Sequence, residues 1–131
     1  MSEPTPATRA VTYERDKHRC VSCGSYTNLQ YQHRQATGMG GSLIRPLFVD
    51  GVTSCARCNP RYESDLQRSA LRFGWKVRSW VEMPGRVPVW CVWERCWYRL
   101  TKGGTRELIS PKVAIEMMTE IYGEEYKTWM S

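Results

Sequence analysis

Long apolar runs are missing from this 131-residue chain, and aliphatic core residues are few. No stretch approaches the ~18 consecutive apolar residues that a membrane-spanning helix requires, which excludes that class. Only 41% of the residues are apolar and Phe occurs twice. A chain of this size buries roughly two-thirds of the surface exposed on unfolding, so so lean a core needs another source of stability. The first ten residues are polar, with no apolar stretch after a charged start, and a secretory leader is not expected. Without secretion disulfides are not expected either, and the six cysteines need another explanation. In an intracellular chain that explanation is most often metal. The length also excludes a large catalytic fold and favours one globular unit.

What is present is charge of one sign, tryptophan and cysteine. Lys and Arg number 19 against 13 Asp and Glu, a formal net charge of +6. The whole excess falls within residues 1–80, whereas residues 81–131 are balanced. A localised basic region attracts polyanions, and nucleic acid is the natural partner.

The residue pattern predicts an α+β chain. Residues 1–8 read as a disordered lead-in and Arg9 to His18 as helix. Leu29 to His33 and Val49 to Ser54 read as short strands. Asn59-Pro60 signals a helix start, with Tyr62, Leu66, Ala70 and Phe73 at helical spacing and Gly74 as the stop. Trp75 to Trp80 reads as a strand and Val87 to Leu100 as an aromatic-rich hairpin. Lys102-Gly103-Gly104 reads as a turn, and a last helix runs from Ser110-Pro111 to Tyr122, where Gly123 ends it.

Cys20-x2-Cys23 and Cys55-x2-Cys58 form two knuckles separated by 31 residues. Two residues between thiolates let both sulfurs converge on one ion, and two knuckles complete the four-thiolate tetrahedron that Zn2+ prefers in structural sites. Such a site contributes about 10–16 kcal/mol in small peptides, enough to offset a lean core. Cys91 and Cys96 lack the spacing and are expected to pack as small apolar residues.

Three strings carry a family resemblance. Arg15-Asp16-Lys17-His18-Arg19-Cys20-Val21-Ser22-Cys23-Gly24 resembles the lead-in of HNH endonucleases. Gln32-His33-Arg34 with Gly38-Met39-Gly40-Gly41, and Cys55-x2-Cys58-Asn59-x3-Glu63-Ser64, resemble the same family, its bacteriophage members above all. The resemblance implies a zinc-stapled ββα-metal (treble-clef-like) core over residues 9–80. A Trp-rich β-hairpin and C-terminal helix are appended over residues 81–131. It also implies a DNA endonuclease with His33 as general base, Asp50 at the middle position and Asn59 at the last. A catalytic divalent ion of Mg2+ or Mn2+ type is implied near Gln32, Asn59 and Glu63.

The chemistry suits those roles. Phosphodiester hydrolysis needs a base to activate water, and imidazole titrates near working pH. Asn59 and Glu63, four apart at a helix start, would share one face, and Asp50 would accept from the His33 ring and raise its basicity. Gln32 departs from the family, which has Asp, Glu or His there, and an amide is the poorer ligand. Either Glu63 compensates, or hydrolysis is lost and the scaffold serves as a DNA-binding or host-protein-binding regulatory module.

Arg61, Arg68 and Arg72 would line one helix face for phosphate contacts, with Arg34, Arg45 and Arg57 nearby. The tryptophans of residues 75–97 either fill the core or offer a contact surface, for example to a phage packaging or host protein. The acidic last helix would face away from DNA, with Val113, Ile115, Met117, Met118 and Ile121 packing on the hairpin or on a second subunit. The expected location is cytoplasmic, that of the host bacterium if the chain is phage-encoded.

Overall fold

Thr5 caps the first helix, its Oγ1 accepting from Thr8 N–H at 3.0 Å, with Pro6 at the first helical position. In this computed structural model, which describes residues 3–36 and 45–130, α1 therefore spans Pro6–Arg15. It begins inside the expected lead-in and three residues ahead of the expected Arg9. The glycine-rich Gly38-Met39-Gly40-Gly41 string lies outside the described residues.

Of the charged run at the end of α1, Glu14 and Lys17 are exposed but the middle pair is not. Arg15 and Asp16 are buried and bidentately paired at 2.9 Å. Arg15 also donates to Phe48 O and Gly51 O, and Asp16 accepts from Thr53 N–H. Each charge is satisfied on several sides, as a buried pair must be. The pair fastens α1 to the first hairpin.

That hairpin is antiparallel, β1 (Leu29–His33) against β2 (Gly51–Cys55). The register sets Leu29 opposite Cys55 at one end and His33 opposite Gly51 at the other. β2 starts later than expected because Phe48–Asp50 winds into a 3₁₀ turn. Asp50 closes that turn, its carboxylate accepting from Leu47 N–H at 2.7 Å.

Beyond the second knuckle, the single helix expected from Asn59 is two pieces. Asn59–Glu63 is a 3₁₀ turn and α2 covers only Gln67–Arg72. Ser64 breaks the path at φ −132°, ψ −112°. Ser and Asp side chains compete locally for backbone groups and favour turns over helix interiors. Gly74 then passes against Pro88 with φ +76°, where a Cβ would lie 1.8 Å from Pro88 O. The expected strand Trp75–Trp80 reduces to one parallel bridge, Val77 with Gln35.

The second sheet is antiparallel in the order β3 (Val89–Cys91), β4 (Cys96–Leu100), β5 (Arg106–Ile109). The hairpin was expected; β5, with four residues and little alternation, was not. α3 (Pro111–Tyr122) is capped by Ser110 and ends at Gly123, and α4 (Glu124–Met130) follows. Ala114, Met118 and Tyr122 are the buried stripe of α3, whereas Val113 and Ile115 are exposed and so do not pack on the hairpin.

Two apolar clusters result. One surrounds Cys20, Cys55, Cys58, Tyr62 and Trp75, and the other gathers Leu71, Val87, Trp97, Met118 and Trp129. Phe73 and Trp90 pack against both. Trp75, Trp97 and Trp129 are buried, and the large exposed indole is Trp80, outside the hairpin. Among the described residues no helix is long and apolar enough to cross a membrane.

Candidate metal centre

The two knuckles meet because the first precedes β1 and the second closes β2, at the end of the hairpin where Leu29 lies opposite Cys55. Cys20 N–H donates to Ser25 O and Gly24 N–H to Cys20 O, folding the first knuckle back on itself. Val21 N–H donates to Thr53 O and Val92 N–H to Val21 O, wedging that knuckle between β2 and the second sheet. Ala56 N–H donates to Asn28 O, which ties the second knuckle to the entry of β1.

The sulfurs of Cys20, Cys23, Cys55 and Cys58 all lie within 4.8 Å of one another. Cys23 Sγ and Cys55 Sγ are 3.7 Å apart. A tetrahedron with Zn–S bonds of about 2.3 Å has edges of about 3.8 Å, so the donor set fits a structural zinc site. Cys20, Cys55 and Cys58 are buried and Cys23 is exposed.

Burial would push the Cys20 thiol up, but hydrogen bonds from Ser22 and from the backbone at Cys55, Ser22 and Cys23 outweigh it and bring it down to about 7. Burial raises Cys23, and Cys58 is pushed up to about 12. The loop thus stabilises the Cys20 thiolate before any ion arrives, whereas Cys23 and Cys58 depend on a cation to lose their protons. Behind them Tyr62 Oη lies 2.6 Å from Ser22 Oγ and accepts from Ser54 Oγ at 3.2 Å. Ser22 Oγ lies 3.3 Å from Cys20 Sγ. Fully buried Tyr62 stacks on Trp75, so this hydroxyl chain orients the cysteine loop from inside the core. Nothing in the sequence marked Tyr62 as more than an apolar helix position.

The other expected site residues distribute over both faces of β1. Gln30 and Gln32 share a face, and Asn59 Nδ2 donates to Gln30 Oε1 at 2.7 Å. Gln32 Nε2 donates to His33 O at 2.9 Å. Leu29, Tyr31 and His33 take the opposite face, where the Tyr31 and His33 rings meet edge-on at 5.2 Å. His33 and Asn59 therefore do not converge on one side of the strand. Nor do Asn59 and Glu63 share a face, because a 3₁₀ turn offsets positions four apart. Glu63 reaches away to Lys76 Nζ at 2.6 Å.

His33 is half-buried, and its imidazole is held below its ordinary 6.5. Burial is the largest cause; the carboxylates of Glu3 and Asp50 pull the other way without overcoming it. Asp50 was expected to raise His33 by accepting from its ring. It acts instead through space, with its carboxylate bonded to Leu47 N–H.

Of the six arginines expected at a phosphate groove, Arg34 is excluded by its position. It is fully buried, donating to the carbonyl oxygens of Gly74, Val49, Pro84 and Val87. Burial lowers it to about 10, and it serves as a clasp rather than a ligand contact. Arg61 pairs with Asp65 at 2.7 Å, Arg68 donates to Thr128 O, Arg72 lies over the Phe73 ring and Arg45 donates to Glu3 O. Arg61 is outside α2, so the expected stripe with Arg68 and Arg72 is not one helix face. Arg57 is exposed on the loop of the second knuckle. Cys91 is buried opposite Cys96 in the β3–β4 ladder, apart from the four-sulfur cluster.

Fold and site together define an α+β protein with a four-cysteine cluster suited to a structural metal ion. No family model, curated protein or solved structure matches the chain.

Proposed function

We propose that the chain is a zinc-stapled DNA endonuclease of the HNH type, with His33 as general base. The observation that carries this reading is the placement of His33. It ends β1, half-buried so that burial favours the neutral imidazole, on a hairpin whose other end carries the four cysteines. A neutral imidazole can take a proton from water attacking a phosphodiester.

Gln32, Asn59 and Glu63 carry oxygen donors of the kind a divalent ion takes, though Asn59 and Glu63 do not share a face and Glu63 would have to leave Lys76 to take part. Asn59 and Gln32 donate hydrogen bonds through their amide nitrogens, which leaves their oxygens as hard ligands, and Glu63 adds a carboxylate. A Mg2+- or Mn2+-type ion accepts few protein oxygens when phosphate and water complete its shell. Bound there, such an ion would supply charge stabilisation to the phosphorane-like transition state.

A second reading has its own support. Glu63 is engaged by Lys76, and Asn59 by Gln30, which favours a scaffold that keeps the zinc staple and binds DNA or a host protein without hydrolysis. Nicking of supercoiled plasmid separates the two. The endonuclease reading expects relaxation that requires Mg2+ or Mn2+, stops with EDTA and falls at least about a hundredfold in His33→Ala. Zinc-loaded, folded protein that binds DNA with salt-sensitive affinity yet leaves the plasmid intact with either ion would favour the binding module.

A further inference from the structure

The first knuckle carries an exposed aromatic ring that the cysteine chemistry does not use. Tyr26 is 67% exposed, and the Arg19 guanidinium lies 4.3 Å from its ring centroid. The same guanidinium lies 4.3 Å from the Trp93 centroid. Arg19 is fixed in turn, its Nε donating to Gly24 O at 2.8 Å. Gly24 admits this packing because it has φ +79°, and a Cβ there would approach Trp93 Cβ to 3.1 Å. Trp93 buries its indole N–H without a hydrogen-bond partner, so its ring face is what the arrangement uses. Tyr26 is thereby a pre-ordered platform.

Its chain neighbours Ser25 and Thr27, with Asn28, Cys55, Ala56 and Arg57, line a cleft of about 290 Å³. No carboxylate lines it, and two hydroxyls, Ser25 Oγ and Thr27 Oγ1, sit together 3.2 Å apart. Arg57 has no ion-pair partner among the described residues. Four thiolates around zinc form an anionic group, so any anion entering here depends on Arg57.

We infer that this corner binds single-stranded nucleic acid, one base stacked on Tyr26 and the adjoining phosphate in the cleft beside Arg57. An open aromatic face accepts only a base whose own face is free, as in a single strand, a flap or a frayed end. The inference rests on the proposal that the partner is DNA, and it names a contact surface separate from His33.

The test is fluorescence anisotropy of a labelled single-stranded deoxyoligonucleotide with the full zinc-loaded chain, titrated with NaCl and without Mg2+ or Mn2+. Tyr26→Ala should bind roughly tenfold more weakly with an unchanged salt slope, whereas Tyr26→Phe should match the parent. Arg57→Ala should weaken binding and lower the slope of log K against log salt by about 0.7, one phosphate contact. Parental affinity in Tyr26→Ala overturns the inference, as does equal loss in Tyr26→Phe. If the parent binds no nucleic acid, both this inference and the DNA reading fall. If Tyr26→Ala binds normally while nicking still depends on His33, only the inference falls.

Discussion

At the scale of single residues, His33 was legible in the sequence as a candidate base, but the direction of its titration was not. Adjacency to an acidic position suggested a raised pKa; burial against Tyr31 dominates and lowers it. The sign is consequential. An imidazole that resists protonation when folded is already an acceptor below neutrality, so nicking should rise with pH and reach half its plateau below 6.5. Asp50 favours the charged imidazole, and Asp50→Asn should therefore move that midpoint lower still, the amide oxygen continuing to accept from Leu47 N–H. A midpoint above 6.5 in the parent, or one that rises in Asp50→Asn, would contradict the assignment. The same shift bears on stability. The unfolded chain binds the proton more readily than the folded one, so His33 weakens the fold as pH drops through 6.5.

At the scale of elements, what was readable was what local chemistry decides. The knuckles, β1, the β3–β4 hairpin and the α3 caps each carry their signal within a few residues. The loss of a strand at Trp75–Trp80 depends on distant partners. Residues 74–88 are held by Arg34, which bonds Gly74, Pro84 and Val87 while also reaching Val49 beside the first hairpin. One buried guanidinium thus replaces the ladder a strand would have supplied, and no sequence period reports it. Arg34→Met should cost about 3–5 kcal/mol, since four carbonyls lose their donor together. Arg34→Lys should recover little of that, because an ammonium lacks the planar fork that spans them. Urea unfolding midpoints measure both, and a loss below about 1 kcal/mol in Arg34→Met would show that water satisfies those carbonyls.

At the scale of the whole molecule, net charge was readable and its distribution was not. Much of the basic excess of residues 1–80 is internal or paired: Arg15 and Arg34 are buried, and Arg61, Lys76 and Arg78 hold carboxylates. The lean core was readable too, and the structure gives its compensation a location. Cys20, Cys55 and Cys58 are members of the first apolar cluster, so the side chains that would bind zinc are also those the core packs around. A structural zinc contributes about 10–16 kcal/mol, as much as the whole net stability of a typical domain, about 5–15 kcal/mol. Elemental analysis should accordingly find one zinc per chain. Its removal by a strong chelator, or Cys55→Ser, should abolish the cooperative thermal transition at neutral pH. Acid should act in the same direction, because the burial that raises Cys23 and Cys58 makes proton competition for their sulfurs strong. Cys91→Ser, outside the cluster, should leave zinc content at one. A metal-free chain that melts cooperatively at the parental temperature would move the source of stability from the ion to the two apolar clusters, and the cysteines would then be packing residues like Cys91.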